Sequence, residues 1–141
     1  RELQRSHRWD DWNLRVVNTR HTVQNLGLRL EAGSPTKVFC YSGDGMFTPT
    51  ASKLYTNSDL LVHEAYTLDG TLKNPRGETV TIGTKTHCSM QQLERLDDMA
   101  RPKKMALIHV SRTLRGQKKE LLKKYRQRRW IMPEPGDVIE L

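Results

Sequence analysis

The sequence predicts an α/β fold: a layered, mixed sheet with flanking helices. Two observations carry this. Short apolar runs of strand length, separated by Gly, Pro, Asp and Ser, open the chain, and strand-like and helix-like stretches alternate toward its end. A chain of 141 residues can bury a real core, so one compact unit is expected over residues 1–141. At 35% hydrophobic and 28% charged, it is somewhat poorer in core residues than an average domain. That deficit fits a piece whose core is completed by a partner or a missing segment.

In order, Leu14–Thr19, Leu26–Glu31 and Lys37–Tyr41 read as strands, with the turn Ala32-Gly33-Ser34-Pro35 between the last two. Pro49–Tyr55 reads as a short helix after Ser42-Gly43-Asp44-Gly45, and Leu60–Glu64 as a buried strand. Thr67 to Lys85 reads as a long polar loop with three glycines and Pro75. A helix from Ser89 to Met99 follows and is stopped by Pro102. Met105–His109 reads as a strand, Leu114–Trp130 as one basic helix, and Val138–Leu141 as a final strand. No internal repeat or low-complexity tract interrupts the series.

Composition narrows the function classes. No apolar run approaches the roughly 18 residues needed to span a membrane, so no membrane partner is expected. The sequence starts at Arg1 without a methionine, which is the expectation for a chain cut or processed upstream. Cys40 and Cys88 form neither a CxxC pair nor a disulfide framework and fit a reducing, cytoplasmic compartment. The net charge is +8, and Arg115 to Arg129 alone carries eight basic residues against one acidic, a local +7. With Leu121, Leu122 and Tyr125 at helical spacing, this segment is either a solvated helix face or a patch that attracts phosphate, with Lys118, Lys119 and Lys123 as candidate substrate contacts.

Chemistry-bearing residues stand at the ends of the strand-like runs, where a sheet can hold side chains for a site on the following loops. They are His21, Asp44, the pair His63 and Glu64, and His109, while His87 opens a helix. Hydrolytic zinc prefers imidazole nitrogen and carboxylate oxygen, and a two-metal site needs a carboxylate able to bridge both ions. Each residue also has a structural reading. Ser-Gly-Asp-Gly is an ordinary turn, His109 could be a satisfied core histidine, and His63 reads as a structural neighbour of Glu64.

The order of motifs adds a resemblance. The segments from Arg20-His21 to Gly27-Leu28-Arg29-Leu30-Glu31, then Tyr41-Ser42-Gly43-Asp44, His63-Glu64-Ala65, His87-Cys88-Ser89 and Leu107-Ile108-His109-Val110-Ser111 follow one another in this order. Together they resemble the later motifs of the metallo-β-lactamase superfamily, in its ribonuclease Z, arylsulfatase and phosphodiesterase branch, over roughly Thr19 to Leu141. The resemblance implies the C-terminal half of a metallo-β-lactamase αββα sandwich. It also implies two zinc ions in the complete domain, with His21 and His109 each binding one and Asp44 bridging them. His87 resembles the histidine of the H-S-T motif that contacts the scissile phosphate and helps the leaving group, and Glu64 the H-E-A-T glutamate that orients it.

The sequence also departs from the pattern. The HxHxDH metal loop, which supplies about half of the ligands in the superfamily and lies in its N-terminal half, is absent from these 141 residues. Gly45 stands where ribonuclease Z commonly has threonine, Leu28 where it often has tyrosine, and Arg112-Thr113 follows the last motif only loosely. The implied function is a zinc-dependent phosphodiesterase acting on RNA 3′ ends or cyclic nucleotides, partnered by the missing N-terminal half and open to homo-oligomerisation. Sulfate-ester or other ester hydrolysis is the second reading. The third is a non-catalytic remnant binding nucleic acid or protein.

Overall fold

The computed structural model describes residues 4–81 and 86–141. Arg1 and the last part of the expected polar loop, 82–85, lie outside the described residues.

The first four strands form an antiparallel meander: β1 (Gln4–Trp9), β2 (Trp12–Thr19), β3 (Asn25–Ala32) and β4 (Lys37–Tyr41). After helix α1 (Pro49–Leu54), β5 (Leu60–Glu64) returns parallel to β4. Beyond helix α2 (Met90–Ala100), β8 (Met105–Ile108) lies parallel to β5, and β9 (Trp130–Ile131) parallel to β8. The result is a mixed seven-stranded sheet in the order β1-β2-β3-β4-β5-β8-β9, antiparallel on one side and parallel on the other. Such parallel connections need crossovers, which the helices supply.

Strand periodicity divides the sheet's residues between two faces. Val17, Cys40, Leu61, Met105 and Leu107 point toward the helices and are fully buried with Leu93 and Leu96 of α2 and Tyr55 after α1. On the opposite face, the register aligns Val16, Leu28, Tyr41 and Val62 in one row across four strands, and all four are only half-buried.

The G-x-R-x-E stretch of β3 is explained by packing. A Cβ on Gly27 would come within 2.0 Å of the Tyr55 hydroxyl, so only glycine admits that ring against the strand. The Arg29 guanidinium donates to the carbonyls of Leu54 (3.1 Å) and Thr56 (2.7 Å) and to Glu31 (2.6 Å), tying the end of α1 to the sheet. Helix starts follow their caps: Thr48 accepts from the Ala51 amide ahead of Pro49, and Ser89 with Gln92 closes a capping box on α2. The chain leaves α2 through Arg101 in a left-handed conformation immediately before Pro102.

Four expectations are corrected. A further strand, β1, precedes the first predicted one. Its mixed sequence QRSHRW lacks the apolar alternation that would mark a strand, and it is exposed from Arg5 to Trp9. The polar loop contains a small hairpin, β6 (Thr71–Lys73) and β7 (Thr79–Thr81), closed where Asn74 Oδ1 accepts the amides of Arg76 and Glu78 and Gly77 takes φ +79°.

The basic stretch is not one helix. It breaks into α3 (Arg112–Gly116), α4 (Lys118–Lys124) and a 3-10 turn (Arg126–Arg128), because Gly116-Gln117 ends the first turn and Arg129, in the left-handed region, redirects Trp130 into β9. There Trp130 is buried and stacks on Tyr125 at 4.7 Å. Val138–Leu141 is not a strand, since β9 already occupies the edge beside β8, and Val138 is 88% exposed. No helix among the described residues is long and apolar enough to cross a membrane.

Candidate metal centre

Asp44, Glu64 and His109 follow or end β4, β5 and β8 on the carboxyl side of the parallel strands, the edge where open α/β sheets present their ligand sites. His87, just ahead of α2, joins them. Donor atoms of these four residues all lie within 4.8 Å of one another.

Each side chain is held from behind. Asp44 sits between two glycines because its loop presses against the turn after β2. A Cβ on Gly43 would meet Asn25 at 2.5 Å, and one on Gly45 would meet the Arg20 carbonyl at 2.6 Å. Asn25 Oδ1 accepts the Asp44 amide at 3.1 Å, and Arg20 exchanges two backbone hydrogen bonds with Met46. Glu64 is fully buried, with Oε1 accepting the Cys88 amide at 2.6 Å and Oε2 lying 2.9 Å from His87 Nδ1 and 3.3 Å from His109 Nδ1. His109 Nδ1 is 2.5 Å from Asp44 Oδ1. His109 has φ +48°, a conformation uncommon outside glycine, held here by the contacts on both sides of the ring.

The carboxyls are driven apart electrostatically. Burial first, and then a hydrogen bond shared with Asp44, push Glu64 up to about 8. At Asp44 burial acts upward too, but the Glu64 hydrogen bond and the His109 and His87 imidazoles prevail and hold its carboxyl below the usual range. The two carboxyls are thus pushed in opposite directions, Glu64 toward its protonated form and Asp44 toward its charged form. Carboxylate and imidazole are donor types that a hard or borderline cation such as zinc accepts, and the cluster is partly open to solvent.

The predicted residues are distributed as follows. Asp44, Glu64, His87 and His109 come together. His21 borders the cluster without joining the four close donors: its ring stands edge-on to His87 at 5.1 Å, and its Nδ1 is engaged by the Thr22 hydroxyl at 3.3 Å. His63 lies on the opposite sheet face, fully buried between Phe47 and Tyr55, with Nδ1 donating to its neighbour's backbone, Glu64 O, at 2.9 Å.

Lys118 lines a cavity of about 270 Å³ together with His109, Arg115 and Glu134, and its ammonium pairs with Glu134 at 2.6 Å. Lys119 and Lys123 are exposed on α4. Part of the basic segment's charge is met internally, since Arg128 bridges Asp97 (2.9 Å) and Asp98 (2.7 Å). Sequence reasoning missed Tyr66, whose ring lies against both His87 and His109. Its position directly after His63-Glu64-Ala65 was the available signal.

No protein-family model matches the sequence, and no curated protein matches it. Solved structures do. The short form of human tRNase Z superposes with a TM-score of 0.69 at 18% identity, covering 95% of this chain and 45% of that one. YhfI from Bacillus subtilis, a metallo-β-lactamase fold protein, gives 0.65 at 17%, covering 87% and 45%. A diphosphatase of the PhnP family gives 0.58 at 16%, covering 84% and 40%. The chain thus spans less than half the length of each of these structures. Its architecture is a partial metallo-β-lactamase fold, with a mixed sheet and flanking helices.

Proposed function

We propose that this chain is the C-terminal half of a zinc-dependent phosphodiesterase acting on RNA 3′ ends or cyclic nucleotides, and that residues 1–141 belong to one domain whose other half carries the HxHxDH loop. The observation that carries the reading is the convergence of Asp44, Glu64, His87 and His109 on the carboxyl edge of the parallel strands. Two of the structural neighbours are a tRNase Z and a diphosphatase, both named for reactions at phosphorus. The half-exposed apolar row Val16, Leu28, Tyr41 and Val62 supports the missing half, because a second sheet packed there would finish burying it.

In this reading Asp44, His109 and His21 are ligands, with Asp44 shared between two ions. Bound zinc would supply an activated water and neutralise charge on the phosphate oxygens. The chain's own groups do the rest. With the carboxylates ionised, Glu64 accepts a hydrogen bond from Nδ1–H of His87, which leaves Nε2 to face the substrate. Acting as the imidazolium, His87 delivers its Nε2 proton to the departing oxygen and is left as the neutral imidazole. Lys118 and Arg115, in the cavity beside His109, place positive charge where an anionic substrate would approach, and Lys119 and Lys123 extend that field along α4. Binding should therefore weaken as salt rises.

The test is metal content and turnover of the complete protein, comparing a nucleotide phosphodiester with an aryl sulfate. Stoichiometric zinc with phosphodiester turnover supports the reading, while preferential sulfate hydrolysis replaces it with the sulfatase alternative. A metal-free, inactive protein that still binds RNA or protein makes it a non-catalytic remnant.

A further inference from the structure

We propose that Tyr66 is the positioning residue of this site, its ring and backbone together fixing the orientation of the His87 and His109 imidazoles; the inference rests on the proposed phosphodiesterase reading. Tyr66 directly follows Ala65, in the place of the final letter of the H-E-A-T motif. Its amide donates to the Cys88 carbonyl at 2.9 Å, and its carbonyl accepts the Ser111 amide at 3.3 Å. One residue thereby ties down both segments that carry functional histidines: Cys88 is the neighbour of His87, and Ser111 lies two residues past His109.

The side chain repeats the arrangement. The Tyr66 ring stacks on His87 at 4.6 Å with 26° between planes, and meets His109 at 5.2 Å with a tilt of 48°. The two imidazoles stand edge to face at 5.6 Å. His87 is accordingly held at Nδ1 by Glu64, over one face by Tyr66, and at its edges by His21 and His109. Hydrogen bonding alone fixes a point on an imidazole; a stacked ring fixes its plane, and so the direction in which Nε2 points. The Tyr66 hydroxyl makes no hydrogen bond among the described residues, so the ring is the part that acts and phenylalanine should replace it.

The experiment compares Tyr66→Phe and Tyr66→Leu in the complete, zinc-loaded protein, with Tyr66→Met as the non-aromatic variant should the leucine form not fold. Imidazole proton spectra provide a readout independent of activity. The upfield ring-current shifts at His87 and His109 should persist in Tyr66→Phe and vanish in the non-aromatic variant. With metal content unchanged, kcat for a nucleotide phosphodiester should fall by about 10- to 100-fold in the non-aromatic variant, with KM little changed and the phenylalanine form close to wild type. Unmoved imidazole signals in the non-aromatic variant, or a phenylalanine form as impaired as the leucine form, would overturn the inference. If the signals move as expected but the wild type cleaves no phosphodiester, the phosphodiesterase reading fails and the positioning of the imidazoles stands.

Discussion

Oε2 of Glu64 lies 2.9 Å from Nδ1 of His87, while the other oxygen of the same buried carboxylate accepts the amide of Cys88 at 2.6 Å. One side chain thus fixes both the ring and the backbone of the segment that bears it. If His87 serves as the acid for the leaving group, His87→Ala in the complete enzyme should retain its metals and lose roughly 100- to 10,000-fold in rate. The loss should shrink for nitrophenyl phosphodiesters, which need little protonation. Zinc analysis beside rates on good and poor leaving groups checks this, and loss of zinc in the variant would make His87 a ligand instead.

The contact between Gly27 and Tyr55 predicts a stability effect far from any chemistry. Gly27→Ala drives a methyl to within 2.0 Å of the Tyr55 hydroxyl and should cost about 1–3 kcal/mol by overpacking. That hydroxyl is buried without a partner among the described residues. Tyr55→Phe should therefore be neutral or slightly stabilising, and it should relieve the alanine variant. Denaturant melts of the two single variants and the double variant would show it as non-additivity; strictly additive effects would exclude the clash.

Much of this was legible in the sequence because the parallel strands are short apolar runs ended by the residues that matter. Leu60–Glu64 matched its predicted bounds, and Met105–Ile108 ended one residue early, because His109 turns into the left-handed region as it leaves the sheet. The motif order also singled out the four residues of the cluster. Illegible parts had tertiary causes. β1 is an exposed edge strand whose partner, β2, gives it structure, and Trp130 enters the sheet because β8 offers an edge, against the helical spacing of its own segment. The motifs gave His21 a metal and His87 a partner in Glu64; the fold sets His87 against that carboxylate, whereas His21 stands at the border of the four close donors, a placement the spacing of motifs alone could not give.

His63 gives a pH prediction. Burial holds it down to about 4, against 6.5 when exposed. Between those values the unfolded chain binds the extra proton, so the stability associated with neutral His63 is complete above 6.5 and lost as pH falls through 4. Glu64 acts oppositely, since its raised value makes stability fall as pH rises from 4.5 toward 8. The His63 contribution must therefore be read as a difference against His63→Phe. That difference should change by on the order of 3 kcal/mol between pH 6.5 and 4, in the direction that wild type loses more on acidification. Melts across this range that run parallel for the two proteins would show that His63 is not buried neutral.

Residues 1–141 alone should bind zinc poorly and hydrolyse nothing. The three ligands proposed from this chain, His21, Asp44 and His109, shared between two ions, leave each short of the four that zinc usually takes. Equilibrium dialysis of the isolated chain checks this, and tight stoichiometric zinc accompanied by turnover would contradict it.

Asp44→Ala should separate metal holding from folding, because the Asp44 side chain and its loop are secured by different atoms. The carboxylate is half-exposed and faces His109 at 2.5 Å and His87 at 3.7 Å. The loop itself is held through backbone, by Asn25 on the Asp44 amide at 3.1 Å and by the Arg20 and Met46 pair. Alanine removes the first set of contacts and leaves the second, so the metal-free variant should match wild type within about 0.5 kcal/mol. In the complete enzyme the same change should lower both zinc content and rate, because the proposed bridging carboxylate is the one donor common to both ions. Added zinc should restore part of the loss if affinity alone has fallen. A variant that keeps both ions and full activity would remove Asp44 from the ligand set, and one that unfolds without metal would show the Ser42-Gly43-Asp44-Gly45 turn to be structural.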